Sequence, residues 1–425
     1  MVKNNFSMVE NNENIPFTRG YSLLSSNTNA EWLLKFRRQG FESYLKKYNS
    51  VDENIRNFIS HGVFELPKFD VLPSLDMLLK YPMLDIEAYT IILINGKYCP
   101  EFSTEEELPF SVFSDGVSYS LSDDEKFLED KLKCDDNVFV SLNSAYLSNG
   151  VVIDIESGAK ISKPIHIISV VCEDRENIFV NPRVFINIGS GVSVDIIESN
   201  FSFDEKYFEN KVCQFNVGKN SNVNHYKYFS VSENSCVVEN NYFNIDDNAK
   251  FNQIVFAKKC GLLKNFYQFD VEENSILKSV ASVDANLKQQ PDITAFIKHN
   301  KDNAFSDVSL FATVNDEANV NFTTSVQCAN GIIGVETNQI SRIILNSSKA
   351  RGQIKPQQNI FSEKVKAYHG AVISGINKKD LFFLESRGID ENNAKILILK
   401  SCLANILQNI HNEEIYNAFY NLIWL

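Results

Sequence analysis

One phrase recurs through the middle of this chain: two alternating apolar residues, a short Gly/Asn/Asp/Glu turn, a small residue, then a further apolar position. It stands at 153-IDIESGAKIS-162, 186-INIGSGVSVD-195, 215-FNVGKNSNVN-224, 243-FNIDDNAKFN-252, 269-FDVEENSILK-278 and 312-ATVNDEANVN-321. A weaker copy begins at Ile343, and the six copies start 33, 29, 28, 26 and 43 residues apart. Recurrence at this period marks stacked supersecondary units. Period-two alternation of β-branched and aromatic residues makes the unit strand–turn–strand. A propeller blade needs about 40–50 residues per unit, and a sandwich turns every 8–12 residues without repeating one turn phrase. The pattern therefore predicts a β-solenoid, in which each coil buries its inward residues against the coils above and below.

The flanks read differently. From Ala30 to Tyr48, Leu33, Phe36, Phe41, Tyr44 and Tyr48 fall at near-helical spacing between basic residues, with Thr28 or Asn29 as N-cap. A second apolar segment, 74-SLDMLLKY-81, stops at Pro82, and 89-YTIILINGKYCPEF-102 reads as strand, Asn95-Gly96 turn and returning strand. After Gly388, Ile396, Leu399, Leu403, Ile406 and Ile410 return to a helical step, and Asn412 caps a last helix carrying Ile415, Phe419 and Leu422. The expected organisation is a disordered segment over 1–28, a mixed and mainly helical unit over 29–140, the solenoid core over 141–375 and a helical segment over 376–425. A solenoid exposes two unpaired ends, and these helical units are expected to cover them or to dock a partner.

Charge narrows the function. The net charge of −13 disfavours nucleic acid and anionic membrane surfaces as partners. The polar start of the chain has no apolar signal core, and the longest aliphatic runs are too short to span a bilayer, so a cytoplasmic protein is expected. The eight cysteines lie at least 23 residues apart, which predicts reduced, buried thiols rather than a self-contained metal motif. P-loop, GxSxG and HExxH motifs are all missing. Of six histidines, His61, His166, His225, His299 and His411 read as surface or satisfied core residues. His369 differs. It precedes Gly370 where strand pattern gives way to helix, and a neutral imidazole suits iron, though it needs further ligands from elsewhere.

The run 347-SSKARGQIKPQQNIFSEKVKAYHGAVISGINKKDLFFLESRGI-389 resembles the C-terminal signature of the SufB/SufD family of iron–sulfur cluster assembly proteins. The resemblance is carried by Lys355-Pro356, Val365-Lys366, His369-Gly370-Ala371, Leu381-Phe382-Phe383-Leu384 and Ser386-Arg387-Gly388-Ile389. Upstream, 141-SLNSAYLSNGVVIDIESG-158, 164-PIHI-167, Asn181-Pro182-Arg183 and 95-NGKYCPEFS-103 are similar to family phrases, the last to one of the SufD branch. The lack of a cysteine-rich N-terminal segment also favours that branch.

The resemblance implies a mainly β fold, a right-handed parallel β-helix flanked by N- and C-terminal helical segments. It implies a non-catalytic scaffold that pairs with a SufB-like paralogue and binds a SufC-like ABC ATPase, which hydrolyses the ATP. The complex builds a nascent cluster and passes it to apo-protein acceptors. In that setting no cofactor is bound by this chain alone. His369 matches a ligand of iron or of a transient cluster shared at the SufB boundary, and Ser386, Arg387, Gly388 and Ile389 mark the ATPase-docking region. One departure stands out: the family cysteine two residues before the histidine is Ala367, so either the soft thiolate ligand comes wholly from the partner or the site is histidine-only on this side. Two rivals are a secreted-type β-helix carbohydrate-active enzyme, disfavoured by the scattered acids and missing signal, and a purely structural β-solenoid, which differs only at His369.

Overall fold

The computed structural model describes residues 15–18, 20–21, 31–62, 64–66, 84–104, 107–114, 137–147, 150–172, 177–202 and 206–424. The helix cap at 28–29 and the segment 74–81 lie outside the described residues, as does most of 1–28. Strands dominate, and they wind as a solenoid of about eight turns with helices on either side.

The winding follows from the alternation. In Gln290–His299 the residues Pro291, Ile293, Ala295, Ile297 and His299 are buried, and those between them are half-exposed. Each coil contributes one strand to each of two sheets, and within each sheet the coils stack in parallel and in register. Lys227, Val255, Ala281, Leu310, Ser341 and Ala371, for example, form one row of Cα partners through six coils. The inward rows merge into one continuous apolar core running along the axis.

The turns at one edge explain the recurring phrase. Each reverses the chain through a residue in the left-handed region: Gly158, Gly191, Asn220, Asn248, Asn274, Asn303 and Gly334, with φ from 55° to 74°. Each donates its amide to a carbonyl in the next turn, from Gly158 on Ser190 at 2.9 Å to Gly334 on Lys364 at 3.1 Å. Asn and Gly recur because they tolerate this conformation. Asn274→Val is therefore expected to cost about 1–2 kcal/mol in urea unfolding, and Asn274→Gly only a few tenths. Equal losses in the two variants would remove the conformational explanation.

The step of 43 residues has a geometric cause. The first five phrases lie at this edge, but 312-ATVNDEANVN-321 turns the opposite corner, between strands Phe305–Val314 and Asn319–Cys328. It aligns with Val283 and Ile343, its Cα partners through Ala312. The true sixth member of the first series is 297-IKHNKDNAFS-306, since Ile297 is the partner of Phe269.

Helices lie along the outer faces. α1 (Glu31–Lys47), α2 (Glu53–Ser60) and α3 (Val138–Ala145) pack Phe41, Tyr44, Ile55, Ile59 and Phe139 near Phe179, Phe208 and Val238 of one sheet. After the last strand come α4 (Lys378–Glu385), α5 (Glu391–Leu403), a 3-10 segment Ala404–Asn409 and α6 (Glu413–Trp424). Leu403, Ile406, Ile410, Ile415, Phe419 and Ile423 cover Ile197, Tyr226, Ile254 and Phe256 on the other sheet. Asn412 caps α6, its side chain accepting from Glu414 N at 3.0 Å, as its sequence predicts. Strands under helices, such as Cys236–Ile245, are consequently buried on both faces almost throughout.

The described helices do not lie at the ends. The first coil is finished by strands: Lys97–Tyr98 turns back antiparallel on Tyr89–Ile94 through Asn95-Gly96, and Ser111–Ser114 pairs antiparallel with Gly150–Ile155. Tyr98, Leu108, Phe110 and Val112 pack into the core there. The expectation that helices cover both ends is thus corrected. The apolar outer faces of the sheets offer far more area than a coil end does, and the helices take that area. Among the described residues no helix is long and apolar enough to cross a membrane.

Candidate functional site at the open end of the solenoid

The last coil is left uncovered among the described residues. Among the described residues, strand Val365–Gly375 pairs only with Val335–Leu345, and Arg351–Ile360 only with Asn319–Cys328. Every residue of these two final strands is exposed or half-exposed. Their outer edges carry unpaired backbone groups, the feature that invites another strand. Phe361, Tyr368, Val372 and Ile373 are 63%, 60%, 50% and 44% exposed, an apolar content that solvent alone does not explain.

His369 sits in this coil. Beneath it, Val335, Thr337, Gln339, Ser341 and Ile343 form the buried inward row, and their Cα partners are Val365, Ala367, His369, Ala371 and Ile373. His369 and Ala367 therefore both belong to the inward row and are exposed because no coil lies above them. Tyr368, between them, belongs to the outward row. Among the described residues no three His, Cys, Asp or Glu side chains converge as a metal site. His369 offers one imidazole toward whatever covers this end.

Ser386 to Ile389 form the reversal between α4 and α5. Ser386 Oγ donates to the Phe383 carbonyl at 2.7 Å, Gly388 has φ +87°, and Ile389 N donates to Leu384 O at 3.3 Å. The Arg387 guanidinium lies 5.0 Å from the Phe383 ring centroid. Around the turn, Phe382 is 71% and Ile396 48% exposed, so this hairpin presents an apolar face with a cation at its tip. The structure thus puts the two sets of predicted residues on separate features: an imidazole at the coil end and a helical hairpin beside it.

A third group escapes motif reading. Inside the solenoid, Glu198 Oε2 lies 2.7 Å from Lys211 Nζ and 3.4 Å from Lys227 Nζ, and Glu239 Oε2 lies 2.8 Å from Lys227 Nζ. All four side chains are at most 1% exposed. Burial alone would raise the Glu198 carboxyl, but the two ammonium groups and His225 hold it well below the usual carboxylate range. Burial pushes the His225 imidazole down and so keeps it neutral. Its Nε2 lies 2.8 Å from Glu198 Oε1, and its Nδ1 3.2 Å from Gln253 Nε2, so Nε2 donates and Nδ1 accepts. Glu198–His225 and Lys211–Glu239 sit about one coil apart, at 27 and 28 residues, and Glu198–Lys211 and Lys227–Glu239 about half a coil, at 13 and 12. Applying the repeat period to charged residues would have found them. The seven described cysteines are buried, as their spacing predicts.

Comparison with known proteins agrees with this geometry. The family model described as SUF system FeS cluster assembly, SufBD core domain, matches residues 170–402. An iron–sulfur cluster assembly SufBD family protein of Synechocystis is 25% identical over 75% of this chain and 74% of its own length. The iron–sulfur cluster assembly protein SufD of Escherichia coli is 24% identical over 78% of this chain and 77% of its own. The chloroplastic protein ABCI7 of Arabidopsis thaliana is 23% identical over 67% and 62%. The matched core spans the coils from the buried charge network to the open end and runs on into α5. The chain accordingly belongs to the SufBD family, as a SufD-type protein of iron–sulfur cluster assembly.

Proposed function

We propose that this protein is a non-catalytic scaffold subunit whose open coil pairs with a SufB-type paralogue, and whose α4–α5 hairpin docks a SufC-type ABC ATPase. Iron or a nascent cluster is the cargo, held between His369 and ligands of the paralogue before transfer to apo-protein acceptors. The observation that carries the reading is the uncovered final coil, with unpaired edges, exposed apolar residues and His369 on its inward row.

Charge supports a paralogue over a second copy. The chain is acidic overall, yet residues 351–375 carry Arg351, Lys355, Lys364 and Lys366 against the single carboxylate Glu363. Two such edges repel each other, and an acidic edge is attracted. Lysines on a free edge also deter unwanted pairing, and they do so while leaving the strand available to a complementary partner.

The test is co-expression with a SufB-type and a SufC-type protein, followed by size-exclusion chromatography and iron and sulfide analysis. A ternary complex is expected, with association slowing roughly ten-fold or more as salt rises from low to physiological. His369→Ala is expected to leave the complex assembled and to lower its iron affinity by roughly ten-fold or more. A chain that captures neither partner would sink the scaffold reading. Unchanged iron loading in His369→Ala would leave the imidazole as architecture only.

A further inference from the structure

The inward row just below the open end is unlike the one before it. In strand Phe305–Val314 the inward residues after Ser306 are Val308, Leu310, Ala312 and Val314, all apolar. In the next coil Thr337, Gln339 and Ser341 occupy three successive inward positions and are at most 2% exposed. Buried polar side chains require partners. Thr337 has one, its hydroxyl lying 2.7 Å from Ser306 Oγ, which in turn lies 2.9 Å from His299 Nε2.

Gln339 is only half committed. Its Nε2 donates to the Gln357 carbonyl at 3.4 Å, and its Oε1 accepts from Gln358 Nε2 at 3.3 Å. Facing a carbonyl with Nε2 fixes which end of the amide points which way. A side-chain amide has two N–H donors and two lone pairs, so one of each stays unused. The Cα partner of Gln339 on the open side is His369, one strand spacing away, about 4.8 Å.

We infer that Gln339 is a positioning residue for His369. Its spare amide group takes one imidazole nitrogen once a partner closes the coil and excludes water. The opposite nitrogen is then held toward the shared boundary in a single tautomer. A metal-binding histidine is commonly fixed through its other nitrogen in this way, which sets ring orientation and basicity. The inference rests on the proposed ligand role of His369. It goes further by assigning the residue that orients that ligand, and by giving a reason for a buried glutamine on the inward row directly below the open end.

The experiment uses the full chain co-expressed with its SufB-type and SufC-type partners, comparing the parent with Gln339→Met, Gln339→Asn and His369→Ala. Gln339→Met keeps the volume and removes the amide. Gln339→Asn keeps an amide one methylene short, and serves if the Met variant fails to fold. Two readouts are taken: ferrous iron affinity of the complex, and the imidazole nitrogen shifts of selectively labelled histidine, which report the tautomer. The parent is expected to show one tautomer at His369. Either Gln339 variant is expected to show a mixture and to bind iron about 10–100-fold more weakly, with the complex intact. A single unchanged tautomer and unchanged affinity in a folded Gln339 variant, alongside a loss in His369→Ala, overturns the positioning role alone. No loss in His369→Ala overturns the ligand reading as well as this inference.

Discussion

Lys227→Met is expected to destabilise the chain by about 3–5 kcal/mol, because it removes one member of a buried charge set and leaves the others unbalanced. The Lys227 ammonium is fully buried, 2.8 Å from Glu239 and 3.4 Å from Glu198. Burial alone would lower its pKa, but the two carboxylates hold it well above the usual lysine value. Glu239 is the vulnerable partner. Among the described residues the two ammonium groups are its charged partners, Lys227 at 2.8 Å and, once that is gone, only Lys211 at 3.8 Å. Removing both members of the pair should be far milder. Lys227→Met with Glu239→Leu leaves the neutral Glu198–Lys211 pair and is expected to recover most of the loss, since apolar replacements of buried ion pairs are often neutral or better. Urea unfolding of the parent, both single variants and the double variant gives the coupling directly. A double variant as unstable as the sum of the singles would show that the four groups do not act as a charge set.

The solenoid was legible because its signal is local and repeated. Each phrase, such as 243-FNIDDNAKFN-252, contains both its strand alternation and its turn residue, and Asn248 at φ +59° shows why that residue is there. What was less legible was which corner a phrase occupies. Both corners use short polar turns, and only pairing tells them apart, as Ala312 with Val283 and Ile297 with Phe269 show. The destination of the helices was also hidden. The periodicity of Ile406, Ile410, Ile415 and Phe419 reveals an apolar stripe, but not whether the stripe meets a coil end or a sheet face. Tyr226, Ile254 and Phe256 supply the answer, and they lie 150–193 residues upstream.

The candidate site divides in the same manner. His369 was picked out by its neighbours in sequence and by family resemblance, and its place on the last inward row follows from the register with Gln339. Gln339 itself was invisible, because glutamine in 338-NQISR-342 looks like any outward strand residue until the parity of the row is known. The interior charges were passed over for a related reason. His225 reads as a surface or satisfied core residue, and Lys211 and Lys227 match no motif, since their partners are half a coil to a full coil away in the chain. Stacking makes residues 28 apart neighbours, which local spacing does not express.

Glu209→Gln should stabilise the protein increasingly as pH rises through neutrality. Glu209 lies in the same interior, where burial above all, with Glu239 and Glu198 adding to it and Lys211 and Lys227 opposing it, pushes its carboxyl up to about 7. In the unfolded chain the group titrates near its ordinary 4.5. Below that pH both states are protonated and the group costs nothing. Between 4.5 and 7 the unfolded chain releases its proton while the folded chain retains it, so stability falls as pH rises. Above about 7 both are ionised and the full penalty applies, at most about 3 kcal/mol from the size of the shift. His166 and His299 act in the opposite sense over a similar range. Burial lowers each to about 4, so they favour folding as pH rises from 4 to 6.5. The parent curve is a sum of these contributions, and the difference between variant and parent isolates Glu209. That difference is expected to be near zero at pH 4.5, to grow through pH 6 and 7, and to level off at pH 8. Urea midpoints measured across this range would show it, and a difference that is the same at every pH would mean that Glu209 is ionised throughout and that its neighbours, not burial, decide its charge.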